Sequence, residues 1–491
     1  MAHRETTAAV TGLALLAAAG FARPVRAQTP PAVAPSPPAR DAAGEAAQLD
    51  GAIRELLARG GVPGLAVAVL RDGAVAWVRP FGVADTASGA PVAADTVFEA
   101  AGLGVPVFAY AVVRLAERGE FDLDRPLVAV LPLPDLWNDP RARRVTARRV
   151  LSHTSGLPSA RRGGPLAIEA DPGEKFVFSG EGVLWLQRAV EAVTGIGVDD
   201  LVRREVFEPL GMTSSGYVWR DAWRSRAAVG HDYLQRTLPG KPSASANVAS
   251  TLVTTAGDYG RFLAEMLRPT LVKPVTIERM LRPEVEVEKE ISWSLGWGLE
   301  RTAGRMVLWH WGNNVAFQGV ALGCRETGGG LVVLANGENG LSVAEPVARA
   351  VLGGTHPAFA WLDIDPWDSP ARTIRQRLVT SGSAGGDRGV DRALSELEKT
   401  YPRTAFTEKL LNRIGYELLG LKQVPAAVEV FEANARLYPK SWNVYDSLAE
   451  GYAAAGDLRL AIQYYEKSLK LNPENENAKA ALRELREAER R

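Results

Sequence analysis

Alternating apolar and polar residues are clearest at residues 64–85, where GLAVAVLRDGAVAWVRPFGVAD predicts two strands joined at Asp72-Gly73. An Asp-Gly pair between two such runs is a strong signal for a β-hairpin. Helical spacing of apolar residues from roughly Ala47 to Arg59 predicts a helix before the hairpin. Three later apolar stretches predict further strands, giving a sheet of about five strands covered by helices. These stretches are residues 294–302, 305–324 and 328–340.

The stretch FEAAGLGVPVFAYAVVRLAERG, residues 98–119, predicts a strand end, a glycine-bearing turn and an apolar helix. Pro106 falls near the first helical turn, where its missing N–H leaves no hydrogen bond unmade. Val105, Val112 and Leu115 recur near helical spacing with other apolar residues between them. The pattern therefore predicts a helix that is buried on most of its sides.

A 34-residue repeat begins near residue 408 and predicts two helix pairs, 408–441 and 442–475. Small and bulky positions recurring at this period are typical of tetratricopeptide repeats. Two repeats alone are marginal, so we expect a preceding helix and a charged helix over 476–490 to complete the stack. The preceding helix is marked by Val390, Ala393, Leu394 and Leu397. The matching positions are Gly415 and Ala449, Leu418 and Tyr452, Ala427 and Ala461, Phe431 and Tyr465, and Pro439 and Pro473.

Composition narrows the possible partners. The 491 residues exceed one domain's length, and 57 basic residues balance 57 acidic ones. A zero net charge argues against nucleic acid or an anionic membrane surface as a partner, because both select basic proteins. Hydrophobic residues interrupt the one basic run, 141–149.

The single cysteine, Cys324, excludes an intramolecular disulfide and is expected in the core. The five histidines form no ligand pattern, so we predict neither a metal site nor a cofactor.

The N-terminus has the pattern of an export signal. A basic residue precedes an apolar run at 8–19, and Ala27 ends a small-residue cleavage site. The run is too short to span a bilayer. We therefore expect a periplasmic or secreted protein with a signal peptide over 1–27, although Glu5 leaves an uncleaved anchor as an alternative. A Pro/Ala-rich tether follows at 28–47.

Three motifs together resemble one enzyme family. The 98–119 stretch, the LSHTSGLP sequence at 151–158 and His310-Trp311-Gly312 resemble the penicillin-recognising serine hydrolases, which include class C beta-lactamases, DD-peptidases and esterases. The resemblance covers about 49–354 and implies an α+β domain with an antiparallel sheet, flanking helices and an all-helical subdomain. The predicted division is a signal at 1–27, a tether at 28–47, a beta-lactamase-like domain at 48–354, a linker at 355–386 and an all-α tetratricopeptide solenoid at 387–491.

The resemblance also implies a serine nucleophile, a lysine one turn later and a tyrosine that moves protons. These positions fall on Gly102, Val105 and Phe178, none of which titrates. Only the strand motif is kept. We expect the remaining pocket to be uncharged and wider at its floor. The backbone N–H groups of Gly102 and Asn313 would form the oxyanion hole. The predicted pocket lining comprises Ser179, Gly180, His310, Trp311, Gly312 and Asn313.

These replacements predict an exported, catalytically inactive member that binds a peptide-like or cell-wall-like ligand and holds a protein segment on its repeats. The first alternative is an active serine hydrolase that uses Ser179 as nucleophile and His310 as base. The second alternative is a purely structural scaffold. Ser152 and His153 are adjacent, so their side chains diverge and we expect a structural role for them.

Overall fold

The computed structural model describes residues 42–161, 164–238, 240, 242–383 and 389–489. The predicted export signal and most of the tether lie outside the described residues. Within these ranges, no helix combines the length and the apolar character needed to cross a membrane.

The predicted hairpin forms, and it belongs to an antiparallel sheet of eight strands rather than about five. Asp72 and Gly73 both have positive φ values, 53° and 80°, as a two-residue turn of this kind requires. The strands of the described chain are β1 (Gly64–Arg71), β2 (Ala74–Gly82), β3 (Phe98–Ala101), β4 (Gly230–His231), β5 (Thr237–Leu238), β6 (Leu252–Thr254), β7 (Val285–Glu288), β8 (Ile291–Trp293), β9 (Gly298–Thr302), β10 (Arg305–Asn313), β11 (Gln318–Cys324) and β12 (Gly329–Ala335). The order in the large sheet is β2-β1-β12-β11-β10-β9-β8-β7. Strands β7 and β8 have four and three residues, too few to give a period-2 signal.

The described helices lie on both faces of this sheet and continue into a helical C-terminal module. They are α1 (Ala42–Gly60), α2 (Gly104–Glu117), α3 (Ala147–Leu151), α4 (Gly180–Thr194), α5 (Val198–Val202), α6 (Ala256–Leu267), α7 (Pro274–Met280), α8 (Gly340–Leu352), α9 (Pro357–Trp361), α10 (Pro370–Ser383), α11 (Gly389–Thr400), α12 (Glu408–Gly420), α13 (Val424–Leu437), α14 (Trp442–Ala455), α15 (Leu458–Leu471) and α16 (Glu476–Glu489).

Strand β1 shows how the sheet separates two cores. Its residues Leu65, Val67 and Val69 pack with α1 and α8, whereas Ala66 and the next alternate residues pack with α2 and α6. Because successive side chains of a strand point to opposite faces, a strand covered on both faces is continuously apolar. Cys324 of β11 lies in the core shared with α1 and α8, as its apolar context predicts.

Helix α2 is the buried helix that the sequence predicts, and it positions the candidate site. Eleven of its fourteen residues are buried. Three tyrosine hydroxyls fix the helix and its entrance: Tyr217 donates to the Gly104 carbonyl at 2.6 Å, and Tyr259 donates to the Leu103 carbonyl at 3.0 Å. Tyr110 of the helix itself donates to the Glu265 carboxylate at 2.7 Å. The turn before α2 is therefore held by polar as well as apolar contacts.

The two predicted repeats form the pairs α12–α13 and α14–α15, with α11 before them and α16 after them. The predicted linker, 355–386, differs from expectation because it contains α9 and α10. Ile374, Leu378 and Val379 of α10 are buried in the core of the repeats, together with Tyr233. The helical stack therefore begins within the predicted linker, and the core it forms includes a residue of the preceding domain.

Arg375 of α10 joins the sheet-containing domain to the repeats. Its guanidinium donates to Glu338 and to Glu417 of α12, each at 2.8 Å, and lies 3.8 Å from the centre of the Tyr233 ring. The side chains of the arginine and both glutamates are at most 21% exposed. Because buried charges need partners, this three-residue network fixes how the two parts pack.

We expect Arg375→Ala to lower the free energy of unfolding by roughly 3 kcal/mol, because it leaves two poorly solvated carboxylates without their cation. The measurement is urea denaturation followed by far-UV circular dichroism. The matched control is Arg377→Ala on the same helix, whose pair with Glu396 is more than half exposed and whose loss should cost under about 1 kcal/mol. Similar small losses in both variants would contradict this role for Arg375.

Candidate active site of a serine-hydrolase fold

The backbone of β10 lies directly against the turn that precedes α2. A Cβ atom built on Gly102 would lie 2.8 Å from the Trp311 carbonyl oxygen, and one built on Gly312 would lie 2.0 Å from the Ala100 carbonyl oxygen. Gly102 does not have a positive φ, so this position needs a glycine for space. Ala101, next to it, holds a φ of 47°, which is unusual for a residue with a side chain. The expected widening of the pocket floor is wrong, because the neighbouring strand occupies that space.

Val105 is the second residue of α2, three positions after Gly102, and is 3% exposed within the larger apolar core. An ammonium group at this position would have to leave water for apolar surroundings, which is costly without a buried partner. The valine therefore fits the interior as it stands.

Phe178 lies between two aromatic partners. Its ring centre is 4.4 Å from that of His153 and 5.4 Å from that of Trp311. Trp293 packs against His153 and His310, at 5.3 and 5.7 Å between ring centres. Sequence reasoning missed the roles of His153 and Trp293 in this cluster. The available signal was the concentration of tryptophans in the late strands: Trp293, Trp297, Trp309 and Trp311.

Ser179 is the N-cap of α4, and Gly180 is the first residue of that helix. The Ser179 hydroxyl donates to the Pro158 carbonyl at 3.0 Å and accepts from the Gly182 N–H at 2.9 Å. Its own N–H donates to Nδ1 of His153 at 3.1 Å. The side chain is fully buried. The hydroxyl thus accepts the hydrogen bond that caps α4 and donates its proton to the segment at Pro158.

The hydrogen bonds define the neutral tautomers of two buried histidines. Nδ1 of His153 accepts a hydrogen bond, so its proton is on Nε2; Nδ1 of His310 donates to the Trp311 carbonyl at 2.9 Å, so its Nε2 is unprotonated. Among the described residues, neither Nε2 atom has a hydrogen-bond partner, and no hydrogen bond links His310 to Ser179. Burial, and then the nearby His310, lowers the pKa of His153 to about 3. Burial lowers the pKa of His310 to about 4, against the opposing effect of the Trp311 carbonyl.

The Ser152 hydroxyl shares a 2.9 Å hydrogen bond with the Thr154 hydroxyl, away from the neighbouring imidazole.

Asn313, the second predicted oxyanion position, is exposed at the end of β10, and its side-chain oxygen accepts from the Val315 N–H at 2.8 Å. Among the described residues, no group of three or more His, Cys, Asp or Glu side chains is arranged to hold a metal ion.

The sheet, the α2 turn and the His-Trp-Gly strand beside it define a serine-hydrolase fold of the penicillin-recognising class. Residues 49–354 match the Beta-lactamase family, so the chain belongs to that family, and residues 442–475 match the tetratricopeptide repeat. The family assignment and the fold expected from the sequence are both confirmed.

The chain is similar to proteins of different kinds, among them a penicillin-binding protein and an esterase. Penicillin-binding protein 4 of Amycolatopsis lactamdurans is 34% identical over 41% of this chain and 56% of its own length. Esterase EstB of Burkholderia gladioli is 40% identical over 24% of this chain and 30% of its own length. The chain therefore spans only part of these relatives. An octameric penicillin-binding protein homologue from Pyrococcus abyssi has the same fold, with a TM-score of 0.55, 21% identity and coverage of 68% of this chain and 81% of its own.

We expect Gly102→Ala to destabilise the protein by about 1–3 kcal/mol, because the new methyl group would push against a backbone carbonyl that cannot rotate away. Thermal and urea unfolding would measure the loss. Gly51→Ala in α1 is the matched control, because a Cβ there meets nothing within 4 Å. The control should be neutral or up to about 1 kcal/mol more stable. Equal stability of Gly102→Ala and wild type would show that β10 is not held against this turn.

Acidification should lower stability through the two histidines. Their folded pKa values lie below the unfolded value of about 6.5, so the unfolded state binds more protons, and the free energy of unfolding falls as pH decreases below that value. Each histidine contributes roughly 1.4 kcal/mol per pH unit. His310→Asn, whose side-chain amide can still donate to Trp311, should reduce the slope between pH 6.5 and 5 by about that amount. An unchanged slope would mean that His310 is not kept neutral by burial.

Proposed function

We propose that this chain is a catalytically inactive member of the beta-lactamase family that acts through binding. The observation that carries the proposal is that residue 102 is a glycine, which has no nucleophilic side chain. A Cβ atom added there would lie 2.8 Å from the Trp311 carbonyl oxygen, so a side chain would fit only if β10 shifted. In a comparable serine hydrolase, loss of the nucleophile costs on the order of a million-fold in rate. Val105 and Phe178 add two positions that cannot transfer protons.

The competing proposal is an active hydrolase with Ser179 as nucleophile and His310 as base. A nucleophilic hydroxyl needs a base within hydrogen-bond reach and an approach for substrate. The Ser179 hydroxyl instead donates to a carbonyl in a fully buried N-cap. A histidine with a pKa of about 4 is also a weak base at neutral pH. These features favour the inactive member.

The binding partners are proposed on two grounds. The tetratricopeptide repeat is a protein-interaction module, which supports a protein or peptide segment as the partner of α12–α16. The relative described as a penicillin-binding protein supports a peptide-like or cell-wall-like ligand near the degenerate site. There, Phe176, Phe178, Trp311 and Trp361 keep partial exposure and form an aromatic rim on which such a ligand would rest. Export to the periplasm or beyond is part of the proposal and rests on the N-terminal sequence.

The test compares wild type with Ser179→Ala. We expect neither protein to hydrolyse a chromogenic cephalosporin or a short-chain nitrophenyl ester above the buffer rate, and neither to gain mass with a fluorophosphonate. Intact-mass spectrometry and initial rates are the readouts. A fluorophosphonate adduct on wild type that is absent from a folded Ser179→Ala variant would establish the active alternative. An adduct on both would place a nucleophile elsewhere and equally overturn the proposal.

A Gly102→Ser, Val105→Lys, Phe178→Tyr variant would show whether the scaffold still accommodates the family's chemistry. Because a side chain at 102 requires β10 to move, we expect this variant to be less stable than wild type and to remain inactive. Circular dichroism, thermal unfolding and the same two assays measure this. A stable and active variant would show that β10 moves easily, which would contradict its tight packing against Gly102.

A further inference from the structure

A cavity of about 440 Å³ lies where the beta-lactamase domain meets the repeats. We call it the junction cleft. Its walls come from the end of α1, the start of α8, residues 362–367, helix α10 and Arg413 of α12. The lining is predominantly polar, and it includes Gln235, Asn313, Asn339 and Gln376. This volume falls within the range of small-molecule sites, and the polar lining favours a polar ligand.

Most charges around the junction cleft are paired within the protein. Arg413 donates to Asp365 at 2.9 Å, and Lys409 pairs with Asp363. Arg375 is shared by Glu338 and Glu417, as described above. Arg59 pairs with Glu55 outside the cleft and lies over the Trp367 ring at 4.3 Å.

Arg372 is the exception among the described cations that line the cleft. It donates to the Ser342 hydroxyl at 2.7 Å and to the Gly60 carbonyl at 2.5 Å, both of which are uncharged. No carboxylate of the described residues lies within ion-pair distance of it. Burial lowers the pKa of this guanidinium; the nearby Asp365 and Glu338 oppose the lowering, and Arg375 and Arg413 add to it. The cleft thus holds a half-buried cation whose charge is not balanced by a bonded carboxylate.

The guanidinium also keeps donors for a ligand. An arginine has five N–H donors, of which the two described hydrogen bonds occupy two. The planar fork matches the two oxygens of a carboxylate or phosphate and binds them more strongly than neutral acceptors. An anion in the cleft would therefore give Arg372 the charged acceptor that it does not bond within the described residues.

We propose that the junction cleft binds a small organic anion whose carboxylate or phosphate group is held by Arg372. The two hydrogen bonds to Gly60 and Ser342 orient the arginine, since both acceptors belong to the rigid ends of α1 and α8. The polar lining, including Asn313 at the end of β10, would contact the remainder of the molecule. Because the walls come from both parts of the protein, the bound anion also holds the repeats against the beta-lactamase domain.

The experiment measures thermal unfolding of the full-length protein with increasing succinate or inorganic phosphate at constant ionic strength, with sodium chloride as the reference salt. Ligand binding to the folded state alone raises the melting temperature in a saturable way. We expect succinate, phosphate or both to produce a saturable rise in wild type that chloride does not produce. A rise with succinate only would assign a carboxylate ligand, and one with phosphate only would assign a phosphate ligand.

Three variants decide whether Arg372 is responsible. Arg372→Gln should remove the saturable rise, and Arg372→Lys, which keeps the charge without the fork, should weaken the apparent affinity at least tenfold. Arg377→Gln, on the same helix and paired with Glu396 at the surface, should behave as wild type. The proposal is overturned by an equal rise in Arg372→Gln, or by no rise above chloride in wild type. If Arg372→Gln does not fold, isothermal titration of the folded Arg372→Lys variant with the same anions replaces it. An affinity equal to that of wild type would then overturn the proposal.

Discussion

The structure of the candidate site depends on one backbone-to-backbone contact, in which strand β10 lies against the turn at residues 100–102. A flexible side chain can move away from an added methyl group, but a carbonyl within a paired strand cannot do so without disturbing its neighbours. This contact accounts for glycine at both 102 and 312. It also brings His310 and Trp311 into the aromatic cluster around Phe178. Once the pocket floor is closed, the same burial that stabilises the rings keeps the two histidines neutral.

A second set of contacts makes the repeats part of the same folded body as the beta-lactamase domain. Arg375 links Glu338 to Glu417, and the neighbouring Arg372 reaches the end of α1. Tyr233 contributes its ring to the core of the repeats while its backbone carbonyl accepts from Asn339 at 3.0 Å. Polar and apolar contacts thus support the same interface. The junction cleft is a product of this packing, since both parts of the protein contribute residues to its lining.

Sequence reasoning succeeded where the signal was local. The hairpin at Asp72-Gly73, the buried helix α2 and the helical repeats follow from turn chemistry and periodicity, which a linear sequence contains. It missed β7 and β8, which are too short to show alternation, and helix α10, whose apolar residues are sparse among polar ones. The prediction of a wider pocket floor was wrong for a different reason. Removing a serine side chain on paper leaves a gap, whereas in the folded protein a strand 209 residues further along, at Trp311, fills it. The junction cleft has no sequence signal, because its lining residues come from seven separate segments of the chain.

The start of the helical stack at α10 has a consequence for how such proteins arise and diversify. A repeat module attached by a free linker can be exchanged between proteins as an independent unit, with little effect on its neighbour. Here the first helix of the stack shares its core with Tyr233 and its charges with Glu338. A change of repeats would therefore expose apolar surface and unpaired charge on the enzyme-like domain. The two parts are constrained to evolve together, so substitutions at this interface should occur in compensating pairs across the lineage.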